Sequence, residues 1–354
     1  MVHLQSFDLS VVWVHYHTPE LLLQSVDCFT ETARNDDYTY ELIVVDNGGL
    51  EQAAAQLQQR GVRVLTPGEN LGYAGGVNYG IRSTVGANVL VLNPDVFVEP
   101  QCVTQLLSSL DENDICAPQL FLDQEKRFRL PVNERRDLIS ALLRDLGQIS
   151  SFFATLARTR WRRHVTVSRT ADVCFELSGA MLCFTRAAYE RLGPWDERFK
   201  LYFEETEWLL RAQKIGLRAR VVAGAHAIHW FAQSTRSQPL SELWFGQSQQ
   251  YFETLCYSTA QRALLKCNRR LLSFFRQADV ECLSISTTDH SRTAVTIELS
   301  NTNLGLPAAI ARYEGDILET ASTLVDDLPQ GTYGVRYVSR DGGELGFIRL
   351  KTTT

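Results

Sequence analysis

The chain lacks the features that mark membrane-spanning, secreted and nucleic-acid-binding proteins. None of its 354 residues belongs to an apolar run that approaches the roughly 18 residues of a spanning helix. The first ten residues have neither a basic nor an apolar region, so no signal peptide is readable. The net charge is −6, which argues against a general nucleic-acid binder because that function needs a basic surface.

Cysteine-pair motifs are missing as well. The eight cysteines are scattered and no two have Cys-x-x-Cys spacing, so the sequence does not support a zinc ribbon or a redox motif. Scattered thiols in a large chain are typical of a reducing cytosol, and we therefore expect a cytoplasmic protein. With 45% hydrophobic and 21% charged residues, the composition is that of a globular chain. The length predicts about two to three domains.

The end of the chain has its own composition. All tryptophans and cysteines lie in residues 1–282, and the residues that follow form alternating apolar runs separated by turn signals such as Asp341-Gly-Gly. We predict a small all-β sandwich over residues 282–354. Residues 279–354 carry eleven acidic and six basic side chains, a charge of about −5.

Short apolar runs alternate with helical stretches in the first 125 residues. The runs are Val11–Val14, Leu42–Val45 and Val89–Leu92. Pro19 is expected at the first position of a helix, with Thr18 as its N-cap. This alternation predicts α/β architecture with a parallel sheet, in which ligands bind beyond the carboxyl ends of the strands.

Polar residues follow these predicted strands. His15 and Tyr16 follow the first strand, Asp46 follows the second, and Asn93 and Asp95 follow the third. The Asp46 carboxylate could accept a hydrogen bond from a base or ribose, or the segment could be a strand-ending turn. The Asp95 carboxylate could hold a divalent cation on a diphosphate, or belong to a capped turn.

A glycine-rich run lies over residues 70–80 and includes Asn70, Gly72 and Asn78. Small residues at a helix start let a backbone approach a phosphate. The alternative is tight packing of a helix on the sheet. The run matches neither the dinucleotide-binding fingerprint nor a P-loop.

Acidic and histidine residues cluster further along. Glu204, Glu205 and Glu207 stand at one predicted helix start among aromatic residues. A carboxylate in an apolar pocket can act as a general base, although acidic residues at a helix start also suit the helix dipole. His226 or His229 could complete a metal site with Asp95, or be an ordinary core or surface histidine.

Residues 126–169 form a basic zone with eleven Lys or Arg and three acidic residues. Apolar residues recur there at three- or four-residue steps, which predicts an amphipathic helix or helix pair. One interpretation is contact with an anionic membrane surface; the other is a helical subdomain that packs on protein. Residues 240–281 are predicted to be a second helical segment, which leaves residues 1–239 as the first domain.

Six motifs carry a resemblance to a known family. In chain order they are Val-Val-Asp-Asn, Glu-Asn-Leu-Gly-Tyr-Ala-Gly-Gly-Val-Asn, Leu-Asn-Pro-Asp-Val, Leu-Ser-Gly-Ala-Met-Leu, Phe-Glu-Glu-Thr-Glu and Ala-His-Ala-Ile-His-Trp. Together, over about residues 9–235, they resemble glycosyltransferase family 2, in particular its bacterial rhamnosyltransferase-like branch. The resemblance implies a GT-A fold, a nucleotide-sugar donor, Mg²⁺ or Mn²⁺, and inverting transfer.

The resemblance also implies roles for single residues. Asp46 corresponds to the acid that binds the base of the nucleotide, and His229 corresponds to a late metal ligand. Asp95 corresponds to the second, metal-binding aspartate of an Asp-x-Asp motif, and Asn93 stands where the family has the first aspartate. Glu205 takes the place of the catalytic base, which in the family is an aspartate, so the side chain has one extra methylene. The other residues expected at the donor are His15, Tyr16, Asn70, Gly72, Asn78 and Glu204.

The resemblance leaves several substrates open. The branch suggests dTDP-rhamnose, and UDP-galactofuranose or another UDP-sugar is the alternative. The acceptor would be a surface glycan or a lipid-linked glycan. The rival interpretation is a non-catalytic glycan-binding or scaffold protein, and a nucleotidyltransferase ranks below it because Arg82 is the only basic residue near the glycine-rich run. The β module could bind glycan, form a homo-oligomer or dock to another enzyme.

Overall fold

The computed structural model describes residues 6–51, 53–230, 241–273, 294–300, 302, 304, 306–312, 331–339 and 343–352. The chain forms two compact units, one from residues 1–119 and 171–255 and one from residues 120–170 and 256–354. No helix within the described ranges is long and apolar enough to cross a membrane.

The secondary structure alternates between strands and helices over the first half of the chain. The strands are β1 (Leu9–His15), β2 (Tyr40–Asp46), β3 (Val62–Leu65), β4 (Asn88–Leu92), β5 (Val96–Val98), β6 (Ile115–Phe121), β7 (Met181–Thr185), β8 (Ala219–His229), β9 (Ala294–Ser300), β10 (Ala309–Arg312), β11 (Gly331–Ser339) and β12 (Glu344–Thr352). The helices are α1 (Pro19–Ala33), α2 (Ala54–Gln59), α3 (Gly72–Arg82), α4 (Cys102–Leu110), α5 (Leu138–Gly147), α6 (Ser151–Thr170), α7 (Arg186–Leu192), α8 (Glu204–Lys214), α9 (Ser241–Cys256) and α10 (Thr259–Leu272).

The first unit contains an eight-stranded sheet with the order β3-β2-β1-β4-β7-β6-β8-β5. Strands β3, β2, β1 and β4 are parallel to one another, as the sequence predicts. All seven residues of β1 are buried, which agrees with the near-continuous apolar runs of strands covered on both faces. The α/β fold class is therefore confirmed, and the carboxyl ends of β1, β2 and β4 lie at one edge of the sheet.

The other half of the sheet is antiparallel, which makes the sheet mixed. Strand β7 runs antiparallel to β4, and β5 runs antiparallel to β8 with Val96 opposite His229. This register brings the segment after β4 beside the end of β8. Strand β8 extends from Ala219 to His229, so both His226 and His229 lie within it.

Helix α3 packs directly on the parallel strands. A Cβ atom at Gly76 would lie 2.6 Å from Val14 Cγ1, and one at Gly80 would lie 2.4 Å from Val12 Cγ1. Side chains at these two positions would therefore push the helix away from β1. For these two glycines, the structure supports the interpretation as tight helix–sheet packing.

The start of α1 differs in detail from the prediction. Pro19 is at the first position and Thr18 is at the N-cap position, but the Thr18 side chain makes no capping hydrogen bond. Instead, the backbone N–H of Thr18 donates to His15 Nε2 at 3.0 Å. The residue therefore links the helix to the end of β1 through its backbone.

The second unit joins a helix pair to a four-stranded sheet. Helices α5 and α6 are the helix pair of the basic zone, and the antiparallel order β10-β9-β11-β12 confirms the β module. In the part of the chain that the structure describes, this module is one sheet, so the second sheet of the predicted sandwich is not seen. Its apolar residues pack instead on Leu122 and Phe128. The predicted boundaries near residues 240 and 281 lie outside the described residues.

Arginines of α6 form ion pairs with carboxylates of the sheet. Arg158 binds Glu344 through two hydrogen bonds of 2.5 and 2.8 Å, and Arg162 binds Glu298 through two of 2.6 and 2.9 Å. Arg336 also lies 3.4 Å from Glu344. At least seven of the eleven basic side chains in the zone form an ion pair with a carboxylate of this unit, which leaves less charge for an anionic partner. The seven are Arg127, Arg135, Arg136, Arg144, Arg158, Arg160 and Arg162.

Candidate active site

His15 and Asp46 form a pair at the carboxyl ends of β1 and β2. They stand opposite each other in register, and His15 Nδ1 lies 3.1 Å from Asp46 Oδ1. Because His15 Nε2 accepts from the Thr18 backbone, the proton must be on Nδ1, which donates to Asp46. Burial lowers the pKa of His15 despite the neighbouring carboxylate, which favours this neutral form. His15 is fully buried, so it contacts Asp46 from inside the protein.

The turn after β2 places Asp46 and Tyr16 beside each other. The Gly48 backbone N–H donates to Asp46 Oδ1 at 2.9 Å. Tyr16 is partly exposed, and its ring lies near Gly48 and edge-on to His17. Tyr16 and the partly exposed Asp46 carboxylate can therefore meet a ligand, whereas the buried His15 ring can only orient Asp46.

The glycine-rich run is attached to this turn. Asn47 Nδ2 donates to the Gly72 carbonyl at 3.0 Å, and Asn47 Oδ1 accepts from the Leu71 N–H at 3.2 Å. Asn70 is exposed and its Oδ1 accepts from the Gly72 N–H at 2.8 Å. Gly72 has φ +74°, and a Cβ there would lie 2.8 Å from the Lys200 carbonyl oxygen. This position therefore requires glycine.

Asn78 has a different environment from the one expected at a donor. It is completely buried in α3, and its amide donates to the Trp195 carbonyl and to Glu197. Its Oδ1 accepts from the Tyr189 hydroxyl and the Trp195 N–H. The amide uses all its hydrogen-bonding capacity in these four bonds. Asn78 therefore holds α3 to the segment around Trp195 and has no atom left for a ligand.

Asn93 is connected to a tyrosine of the glycine-rich run. The Tyr73 hydroxyl lies 2.7 Å from Asn93 Oδ1 and 2.9 Å from the Gly179 carbonyl oxygen. The Asn93 backbone N–H donates to the Ala180 carbonyl at 2.8 Å. These bonds fix the segment between β4 and β5 against the segment that precedes β7.

Asp95 and His229 lie together, as the sequence predicts. Both are buried, and His229 Nε2 is 3.4 Å from Asp95 Oδ1. A carboxylate is the ligand type that Mg²⁺ or Mn²⁺ takes together with substrate phosphates, and the imidazole adds a nitrogen donor. This donor set fits a divalent cation held jointly by protein and diphosphate. Within the described ranges, no cluster of three or more His, Cys, Asp or Glu is placed to hold a metal.

Glu204 and Glu205 begin α8 in different environments. Glu204 is buried, and its Oε2 has no hydrogen-bond partner among the described residues. Burial raises the pKa of Glu204 well above its usual value, and the nearby charge of Glu205 raises it further. Glu205 is partly exposed and lies against Gly179, where a Cβ would be 3.0 Å from Glu205 Cγ. The pair therefore provides one carboxyl that favours the neutral form and one that can meet solvent.

A strained turn precedes these two carboxyls. Tyr202 and Phe203 have φ values of +68° and +71°, in the left-handed region that bulky residues rarely adopt. Helix α9 contacts the turn: the Phe203 ring packs on Phe245 and Phe252, and Ser248 Oγ donates to the Leu201 carbonyl at 2.8 Å. We attribute the persistence of this conformation to these contacts, because such strain survives only where the surroundings determine it.

Two other candidate residues have local partners. Glu207 accepts from Arg211 Nε at 2.8 Å within α8. His226 Nε2 is 3.0 Å from the Ala223 carbonyl oxygen. These two contacts do not point to a ligand.

The site also contains residues to which the sequence assigned no role of their own. Asn47, which the sequence marks only as the neighbour of Asp46, Tyr73 and Ser248 each make a hydrogen bond that positions a candidate residue or its turn. Tyr73 stands next to Gly72 inside the motif that carried the resemblance, so its place in the motif is the signal that could have found it. Ser248 carries no such signal because it lies in a helix without a recognisable motif.

Known proteins resemble the chain in sequence. Residues 10–174 match the family model "Glycosyl transferase family 2". The hexosyltransferase Agl10 of low-salt glycan biosynthesis from Haloferax volcanii is 24% identical over 251 residues, 69% of this chain and 72% of that protein. The N-acetylglucosaminyl-diphospho-decaprenol L-rhamnosyltransferase of Mycobacterium tuberculosis is 28% identical over 218 residues, 57% of this chain and 70% of that protein.

Solved structures resemble the chain in shape. The S. aureus TarS 1–349 structure in complex with UDP-GlcNAc has a TM-score of 0.47 and 14% identity, and the match covers 76% of this chain and 74% of that one. The mannosyltransferase PcManGT from Pyrobaculum calidifontis, in complex with GDP-Man and Mn²⁺, has a TM-score of 0.42 and 13% identity, covering 76% and 81%.

The family match agrees with the fold described above. The α/β sheet and its helices are those expected from the resemblance, whereas the separate antiparallel sheet was expected from the alternating pattern of the last residues. From residue 10 to residue 174, the chain contains a glycosyltransferase family 2 domain.

Proposed function

We propose that the protein is an inverting, metal-dependent hexosyltransferase that moves L-rhamnose from dTDP-rhamnose to a hydroxyl of a bacterial surface glycan or lipid-linked oligosaccharide. The observation that carries the proposal is that the Tyr73 hydroxyl lies 2.7 Å from Asn93 Oδ1, two residues before Asp95, and 2.9 Å from the carbonyl oxygen of Gly179, the residue against which the Glu205 side chain lies. Burial raises the pKa of Tyr73 well above its usual value, and nearby carboxyl charges raise it further. A metal-binding carboxylate and a candidate base thus occupy one neighbourhood.

The donor nucleotide is assigned to the edge of the sheet where β1, β2 and β4 end. Asp46 accepts a hydrogen bond from the base or ribose, in the orientation that His15 imposes. Tyr16, Asn70 and the backbone at Gly72 border the nucleotide on the same side. Ligand binding beyond the carboxyl ends of parallel strands supports this assignment.

Asp95 and His229 are the residues that would hold Mg²⁺ or Mn²⁺. When bound, the cation supplies positive charge to the diphosphate that leaves the sugar. The protein's part is to keep the carboxylate and the imidazole together in a buried position, through the antiparallel pairing of β5 with β8.

Glu205 is the proposed general base. Its carboxylate removes the proton from the acceptor hydroxyl, whose oxygen then attacks the anomeric carbon from the face opposite the nucleotide. Such assistance contributes about 10²–10⁴-fold to a rate. Burial raises the pKa of Glu204, which favours the neutral form of this neighbouring carboxyl.

The choice of sugar comes from the relatives. One is an L-rhamnosyltransferase, and another is the dTDP-rhamnosyl transferase RfbF of Shigella flexneri, 24% identical over 195 residues, which are 53% of this chain and 59% of that protein. A UDP-sugar is the alternative donor, since one aspartate does not distinguish uracil from thymine. A protein that binds glycan without turnover is the alternative function.

A lipid-linked acceptor would bring the protein to the inner face of the cytoplasmic membrane. Phe152, Leu156 and Val167 recur along α6 and are 66%, 40% and 60% exposed, which supports a surface contact. Vesicles that contain anionic lipid should retain the protein at low salt, and a triple Phe152→Ser, Leu156→Ser, Val167→Ser variant should be retained less. Equal recovery with neutral vesicles would contradict this part of the proposal.

The deciding experiment uses the full chain with a panel of nucleotide sugars and Mn²⁺. Release of nucleoside diphosphate should be fastest with dTDP-rhamnose and should fall about 10²-fold or more in Glu205→Gln. Asp95→Ala should lower both release and the affinity for dTDP with Mn²⁺. Binding of a donor without release, in the presence of acceptor glycans, would favour the non-catalytic alternative.

A further inference from the structure

Tyr73 lies at the meeting point of the segments that carry the proposed catalytic groups. It belongs to the first turn of α3, directly after Gly72. Its backbone N–H donates to the Lys200 carbonyl at 3.1 Å, shortly before the strained turn and Glu204. Its ring packs edge-on against Trp195 at 5.9 Å between ring centroids. These contacts fix both the backbone and the ring of Tyr73.

The Tyr73 hydroxyl connects two segments from distant parts of the sequence. It reaches Asn93, two residues before Asp95, at 2.7 Å, and the Gly179 carbonyl at 2.9 Å. Gly179 is also the residue against which the Glu205 side chain lies. One hydroxyl therefore links the segment just before Asp95, the metal-binding aspartate, to Gly179, the glycine against which the candidate base Glu205 lies.

The rest of the environment agrees with a neutral, hydrogen-bonding phenol. Burial raises the pKa of the Tyr73 hydroxyl well above its usual value, and nearby carboxyl charges raise it further. A neutral tyrosine hydroxyl has one proton to donate, and the Asn93 Oδ1 and Gly179 carbonyl acceptors both lie within its reach, so it can bridge the two segments through this shared proton. A phenylalanine fills the same volume but leaves both partners without this bridge.

We propose that Tyr73 is a positioning residue that sets the separation between Asp95 and Glu205. This inference rests on the proposed function, in which these two residues act on one substrate. A shift of about 1 Å in a catalytic group can cost about 10²-fold in rate even when the substrate still binds. The Tyr73 hydroxyl therefore acts on turnover more than on donor affinity.

The test is Tyr73→Phe in the full chain, with Tyr79→Phe as the matched control. Tyr79 lies in the same helix and loses the same atom, but its hydroxyl contacts neither segment in the described structure. We expect release of dTDP from dTDP-rhamnose with Mn²⁺ to fall 10- to 100-fold in kcat for Tyr73→Phe. The KM for the donor and the Kd of dTDP with Mn²⁺ should stay within twofold. Tyr79→Phe should behave as wild type.

A second measurement separates this inference from the proposed function. Amide hydrogen exchange should become faster around residues 93–96 and 179–181 in Tyr73→Phe and stay unchanged in Tyr79→Phe. If wild-type protein releases no nucleotide from any donor, the proposed function fails, whereas the exchange result still tests the link. Unchanged exchange in both segments, or a fall in donor affinity equal to the fall in kcat, would overturn the positioning role.

Discussion

The buried imidazole of His15 donates a hydrogen bond from Nδ1 to Asp46 Oδ1, 3.1 Å away, and the two residues stand opposite each other on neighbouring strands. The Thr18 backbone fixes the tautomer by donating to Nε2. The orientation of the carboxylate at the end of β2 is therefore decided by residues that do not meet the solvent.

This arrangement predicts that His15 affects donor affinity without touching the donor. In His15→Leu the Asp46 carboxylate loses a charge-assisted hydrogen bond, worth about 1.5–3 kcal/mol. We expect the Kd of dTDP with Mn²⁺, measured by calorimetry, to rise roughly 10-fold or more. His15→Asn keeps a donor near the position of Nδ1 and should lose less. An unchanged Kd in His15→Leu would show that Asp46 does not need this partner.

Asn78 is predicted to matter for stability. Asn78→Ala leaves the Trp195 backbone groups and the Tyr189 hydroxyl without their buried partner, and each lost partner costs about 1–3 kcal/mol. We expect the free energy of unfolding in urea to fall by about 3 kcal/mol or more. The control is Asn88→Ala, since the Asn88 side chain makes one hydrogen bond, to the Asp8 carbonyl. Equal losses in the two variants would contradict the role given to Asn78.

Glu204 is predicted to make stability depend on pH. Its pKa is raised in the folded state above the ordinary value of 4.5, so the folded protein binds the proton more tightly than the unfolded chain. The stability that this proton provides is complete below the unfolded pKa and is lost as the pH rises towards the folded pKa. Glu204→Gln removes the titration, so its stability relative to wild type should increase from about pH 5 upwards.

Urea unfolding at a series of pH values measures this difference. Glu190→Gln provides the control, because Glu190 is an exposed carboxyl on α7. Its measured difference from wild type gives the effect of removing a surface carboxyl, against which the Glu204→Gln difference is compared. A constant difference between Glu204→Gln and wild type from pH 5 to pH 8 would mean that Glu204 ionises normally.

The ion pair between Arg162 and Glu298 is predicted to stabilise the second unit strongly. Glu298 is 2% exposed, and removal of one partner of a buried pair costs about 3–5 kcal/mol. Glu298→Gln should therefore speed amide hydrogen exchange in α6 by roughly 10²-fold. The control is Asp27→Asn. Asp27 forms the same kind of bidentate pair with Arg60 at an exposed position, where a pair contributes about 0–1 kcal/mol to stability. Similar effects on α6 and α1 would contradict the importance of burial.

Much of the first unit could be predicted from the sequence because its strands are near-continuous apolar runs. Val11–Val14 and Leu42–Val45 belong to buried parallel strands, and Asp46 and Asn93 follow strand ends, so their common edge followed from the architecture. The pairing of Asp95 with His229 was anticipated from motif order. It depends on an antiparallel register between β5 and β8 that local pattern does not contain.

The remaining differences come from contacts that have no local signature. Asn78 lies in the right motif, but its partner Trp195 is 117 residues away, so its burial could not be seen in the sequence. The same holds for the basic zone, whose surplus charge suggested an external anionic partner. Its arginines meet carboxylates of strands predicted separately, and only the tertiary fold brings the two together.

The ion pairs of α6 have a consequence for how the protein is made. Arg158 and Glu344 are 186 residues apart, and Arg162 and Glu298 are 136 apart. At a synthesis rate of about 5–20 residues per second, the arginines emerge from the ribosome roughly 7–40 s before their partners. During that interval, α6 presents unmatched positive charge and an apolar face with Trp161. The second unit therefore cannot be completed before β9 to β12 have been synthesised, and a ribosome stalled before residue 294 would carry this helix without its sheet.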